Sequence, residues 1–152
     1  MIPQQYETQK VLSASPVELV LMLYDGGLRA LSGALSAFDI EDDLKRMNGI
    51  HEQLLRAQDF ITELACSLDM DRGGELAVQL NRLYEFMLHH LAMANSGKKR
   101  KPVEEVHKML SDLRESWAKA MEQVPREQQP NPVPVERTSS FRFSGSSKAD
   151  RI

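Results

Sequence analysis

Apolar residues recur every three or four positions through four stretches of this chain, and polar or proline-bearing links divide the stretches. That period is helical. The first stretch has a marked start: Ser15 stands as N-cap, Pro16 follows, and Glu18 completes a capping box. It predicts a helix to about Phe38, where DIEDD breaks the pattern. A second helix is predicted from about Asp43 to Leu68 on Met47, Ile50, Leu54, Ala57, Ile61, Leu64 and Leu68. DMDRGG forms the next turn, its glycines suited to a helix end. A third runs from about Gly74 to Asn95 on Leu76, Leu80, Leu83, Met87, Leu91 and Ala94, and SGKKRK follows. A fourth runs from Pro102 to about Val124 on Val103, Val106, Leu110, Leu113, Trp117, Met121 and Val124. Helices of similar length on short links pack as an all-α, antiparallel four-helix bundle, each rod about 33 Å long.

Proline placement bounds the domain. None occurs from Val17 to Lys101 or from Val103 to Val124, and Pro16 and Pro102 suit first helical turns. From Pro125 onward the chain is polar and proline-rich, with too few clustered apolar residues to offset its ordering entropy. The expected organisation is an N-terminal segment over 1–14, a bundle over 15–124 and a disordered tail over 125–152.

The apolar pattern exceeds what a bundle core needs. A bundle helix requires one apolar stripe, and the fourth helix has little else. On the first helix Val17, Val20, Leu21, Leu23, Tyr24, Leu28, Leu31, Leu35 and Phe38 share one face, and Leu19, Met22, Gly26, Ala30, Gly33 and Ala37 form an adjoining strip. Below Met22 that strip is entirely small. Glycine inside a helix costs about 1 kcal/mol relative to alanine, so Gly26 and Gly27 together need a reason. Gly27, in the main stripe, lets a neighbouring helix of the bundle pack close. Gly26 belongs to a smooth strip on which another backbone can lie. Phe86 and Met93 also lie off the third helix's main stripe, as do Leu55 and Phe60 on the second. These residues either close the bundle imperfectly, are covered by the N-terminal segment, or form a surface for a partner. Eight methionines fit an adaptable surface.

Composition narrows the classes. Apolar residues at 41% suffice for a core, and a net charge of -3 points to neither nucleic acid nor an anionic membrane. The single cysteine, Cys66, rules out an internal disulfide and the cysteine clusters of zinc sites. No apolar run approaches the roughly 20 residues of a membrane span, and the polar N-terminus has no signal-peptide core. The expectation is a soluble protein of a reducing compartment, the cytoplasm.

Candidate chemistry does not assemble. Glu104-x-x-His107 occurs once, where a di-iron bundle needs the motif on two helices. His89 and His90 are adjacent and cannot point the same way on a helix. Asp69-x-Asp71 would start a calcium loop whose twelfth position is Leu80, not glutamate. His51 borders the core stripe with no small neighbours to admit a phosphodonor, and Cys66 has no cation beside it. KKRK at 98–101 lacks interleaved aromatics and reads as a solvated loop. No enzyme, metal or cofactor is expected. A metal- or phosphohistidine-bearing bundle and a self-associating structural bundle stand as the rival readings.

Several motifs, in order, resemble the flagellin export chaperones (FliS). They are Tyr6, then VLSASPVELVLMLYDGGLRAL, RAQDFITELACSLD, GGELAVQLNRLYEFMLHHLAMAN and VEEVHKMLSDLRESW, from about Tyr6 to Trp117. The resemblance implies a cytoplasmic four-helix chaperone that binds the disordered C-terminal segment of flagellin, prevents premature polymerisation and delivers it to the flagellar type III export gate. The segment becomes helical on the chaperone, so the surplus apolar surface is its groove. The resemblance also implies that the N-terminal segment covers part of that groove, and that Tyr6 serves this segment and gate docking. Departures are Pro3 in place of an isoleucine, Gln79 where the family has asparagine, and LYEFM where it has LYDYM, with Glu85 and Phe86. The residues expected to meet the partner are Leu19, Met22, Gly26, Ala30, Gly33, Gln79, Phe86 and Met93, with Tyr6 and Val11 on the covering segment. The sequence leaves the oligomeric state open, a homodimer in the absence of client included.

Overall fold

The computed structural model describes residues 15–123. The expected covering segment and tail, with Tyr6 and Val11, lie outside the described residues. Among the described residues the chain forms α1 (Pro16–Ala37), α2 (Asp43–Cys66), α3 (Gly74–Gly97) and α4 (Arg100–Glu122).

Local chemistry sets the ends. Ser15 Oγ accepts the Glu18 N–H at 3.2 Å, and Asp42 does the same for Lys45 at 2.9 Å. The α2 helix stops two residues before Leu68, where the Ser67 hydroxyl donates to Leu64 O at 2.7 Å. The glycines of the next link serve the start of α3 rather than the end of α2. Gly74 has φ +56°, which a residue without Cβ adopts freely, and Asp69 Oδ1 accepts the N–H groups of Asp71 and Arg72 at 3.0 Å. α3 extends to Gly97 and is closed by Lys98 in the left-handed region at φ 48°, its ammonium donating to Asn95 O at 2.7 Å. α4 begins at Arg100, which places Pro102 inside its first turn, where no N–H is missed.

The helices form an antiparallel four-helix bundle in which each packs on its sequence neighbours and α4 returns to α1. Cross-helix contacts fix the directions. Gly26 meets Phe60, Gly33 meets Gln53 and Ala37 meets Gly49, so α1 and α2 run opposite. Arg100 donates to Asp39 at 2.6 Å at one end of the α1–α4 pair, and Trp117 Nε1 donates to Val17 O at 3.4 Å at the other. Asn95 reaches His51 at 2.9 Å between α3 and α2. The core runs through Leu31, Ile50, Leu54, Ile61, Leu64, Tyr84, Met87, Leu91, Val103, Val106 and Leu110. Within it the hydroxyls of Tyr24 and Tyr84 bond at 2.7 Å across the diagonal from α1 to α3. Burial drives both phenols' pKa values up, and the neighbouring phenol raises that of Tyr84 further.

Two residues read into core stripes lie outside them. Met47 is 44% exposed and Leu76 is 66% exposed; on α2 the sealed core begins at Ile50 and on α3 at Ala77.

Candidate functional site

The small strip of α1 is not an open surface. Gly26 lies under the Phe60 ring, in the space its own Cβ would occupy. A Cβ on Gly33 would come within 2.8 Å of Gln53 Oε1, and Ala30 is 5% exposed. Leu19 is buried and Met22 half-buried. The strip is met by side chains of α2, Phe60 and Gln53, within the same chain. This corrects the expectation of a partner's backbone at Gly26, Ala30 and Gly33. Phe60, an outlier from α2's stripe, fills the groove that the α1 glycine leaves. Gly27 does admit a bundle neighbour: Leu110 of α4 stands 2.9 Å from where its Cβ would be.

The other surplus is open. On α3, Leu76, Gln79, Leu83, Phe86, His90 and Met93 fall on one line at spacings of three and four. That line lies roughly 100° around the helix from the core stripe. Phe86 is 50% exposed and Met93 58%. Gln79 is exposed between Leu76 and half-buried Leu83. The Phe86 ring stacks on His90 with centroids 5.0 Å apart, and His90 Nε2 lies 3.1 Å from Glu105 Oε1 of α4. The stripe therefore runs along the α3–α4 side of the bundle, beside half-buried Met109 and Leu113 of α4. Sequence reasoning found Gln79, Phe86 and Met93 but assigned Leu76 and Leu83 to the core and set His90 aside. The available signal was the second three-four spacing along α3, offset from the first.

Burial of Ala77, Tyr84, Met87, Leu91 and Ala94 turns one stripe of α3 inward, and the Tyr24–Tyr84 bond adds a polar contact to α1 on that side. A lesser apolar patch, Ile40, Leu44 and Met47, surrounds the link between α1 and α2. Three of the four histidines make polar contacts between helices: His107 with Ser32 at 3.2 Å, His51 with Asn95 and His90 with Glu105. Among the described residues no three His, Cys, Asp or Glu side chains converge, and no helix is long and apolar enough to cross a membrane.

Comparison with known proteins places this geometry. The sequence model of the family described as "Flagellar protein FliS" matches residues 2–124. The flagellar secretion chaperone FliS of Salmonella typhimurium is 36% identical over 108 residues, covering 70% of this chain and 77% of that protein. The flagellar secretion chaperone FliS of Bacillus subtilis is 33% identical over 117 residues, covering 77% of this chain and 84% of its own length. The flagellar secretion chaperone FliSB of Pseudomonas aeruginosa is 35% identical over 108 residues. A family match across the whole described bundle, joined to relatives of this identity and coverage, shows that the chain belongs to the FliS family of flagellar proteins.

Proposed function

We infer that this chain is a flagellar export chaperone whose client, the C-terminal segment of flagellin, docks as an amphipathic helix along the second stripe of α3. The observation that carries this reading is the alignment of Leu76, Phe86 and Met93, each half or more exposed, on one line of one helix. A client helix with apolar residues at the same spacing buries that line, with main-chain hydrogen bonds made inside the client itself. Half-buried Met109 and Leu113 of α4 extend the surface to one side. Binding is coupled to folding, so part of the interaction energy is spent on ordering the client. Flagellin held in this way is unavailable for assembly, and mass action sets how much remains free.

Leu19, Met22, Gly26, Ala30 and Gly33 then serve the client indirectly, by seating α2 and so fixing the bundle that presents α3. Residues 1–14, with Tyr6 and Val11, cover part of the groove until the client arrives, and Tyr6 also contributes to docking at the export gate. The bundle acts in the cytoplasm and catalyses no reaction. Calorimetric titration with a flagellin C-terminal peptide, paired with circular dichroism, tests the reading. Saturable binding with a gain in helix is expected, and no heat and no added helix would overturn it. The same stripe suits a second copy of the chain. Sedimentation then shows a dimer that the peptide dissociates, whereas a dimer indifferent to the peptide favours the structural reading.

A further inference from the structure

At the end of the bundle where α1 begins and α4 stops, the helices leave a half-open cavity. It measures about 190 Å3, and its walls include Val20, Leu68, Ala77, Leu80 and Trp117. The lining is almost wholly apolar, and the hydroxyls of two of its residues, Tyr24 and Tyr84, are already bonded to each other. Water there finds few partners. An apolar cavity of about 150 Å3 holds a benzene ring, so this one has room for a single phenyl group.

The chain beyond α4 departs from this end. Trp117, in the cavity wall, lies about 8 Å back along the helix axis from Glu122, at 1.5 Å per residue. Further on, the sequence carries Phe141-Arg142-Phe143 within a stretch whose charged residues, Arg137, Arg142 and Lys148, are all positive. The sign at the cavity end is opposite. Glu18 in the first turn of α1, Asp69 and Asp71 in the link and Glu75 in the first turn of α3 outweigh Arg72, while Lys119 and Glu122 balance at the end of α4. The roughly 18 residues between Gln123 and Phe141 include four prolines and reach up to about 3.1 Å each, more than the return to the cavity requires. Residues 1–14 also leave from this end, but their charges, Glu7 and Lys10, cancel and supply no such match.

We propose that Phe141-Arg142-Phe143 docks at this cavity, with one ring inside and Arg142 toward the acidic residues at that end of the bundle. The chain thereby carries its own ligand for the open end of its bundle.

Trp117 is the single tryptophan, so its emission reports the cavity directly. The measurement compares fluorescence and acrylamide quenching of the full chain, of a Phe141→Ala/Phe143→Ala variant and of a Tyr6→Ala/Val11→Ala variant, without any client. In the phenylalanine variant, emission moves to longer wavelength and protection from acrylamide is lost; a peptide of residues 137–148 added in trans restores both. The Tyr6/Val11 variant matches the parent. Unchanged emission and quenching in the phenylalanine variant overturns the proposal, and exposure of Trp117 in the Tyr6/Val11 variant alone assigns the cavity to the N-terminal segment instead. Neither result depends on flagellin binding, so the chaperone reading stands or falls separately.

Discussion

The two surplus strips of this bundle have opposite fates. On α1, Gly26, Ala30 and Gly33 form a shallow track that α2 fills with Phe60 and Gln53. On α3, Leu76, Phe86 and Met93 project from a line that no helix among the described residues covers. The difference follows from where each strip faces. The α1 track faces α2, and its small residues leave room for Phe60 and Gln53. The α3 line lies about 100° from the core stripe, on a side that no described helix occupies.

The largest test of that contrast is Gly26→Leu. The new side chain requires the space of the Phe60 ring, and overpacking of this kind costs about 3 kcal/mol. Thermal or urea unfolding should show the loss, and unchanged unfolding with weaker client binding would restore α1 to the open surface. Next comes Phe86→Ala/Met93→Ala. Both side chains are exposed, so stability should change by no more than about 0.5 kcal/mol, while loss of an interface anchor of about 2 kcal/mol weakens the client peptide roughly thirtyfold. Calorimetry against the parent reads the difference, and equal affinities would place the client elsewhere.

Tyr24→Phe probes the tie between the two regions. It leaves the Tyr84 hydroxyl buried without its partner, at a cost of about 1–2 kcal/mol, whereas Tyr24→Phe/Tyr84→Phe recovers much of the loss. Denaturant titration of the three variants checks this. The same pair sets an alkaline limit. Both phenols have folded-state pKa values above the ordinary 10.0, so their contribution is complete below that pH and is lost as pH rises beyond it. The smallest effect belongs to Arg114→Met. The Arg114–Asp25 pair, at 2.9 Å, is partly exposed on both sides, so its removal should cost about 0.2–1 kcal/mol and fade with added salt.

Much of the fold was legible because its signals are local. The Ser15-Pro16-Glu18 start, the breaks at 39–42 and 67–73 and the spacing of core residues each concern a few consecutive positions, and the helices lie within a few residues of expectation. The candidate site was legible in part. Phe86 and Met93 stood out because they break the core period of α3, but Leu76 satisfied that period well enough to be read as core. Its exposure reflects the end of the bundle, where the first turn of α3 overhangs the sealed layer that begins at Ala77.

By itself, then, the sequence determined that there would be four amphipathic helices, where they start, and that some carry more apolar surface than one stripe. Periodicity is a property of a single helix, and it counts faces without saying what each will meet. Only the tertiary structure decided that the glycine track of α1 closes on Phe60 and that the second line of α3 stays open. That choice depends on the roll of each helix about its axis, set here by contacts such as Tyr24–Tyr84 between residues sixty positions apart.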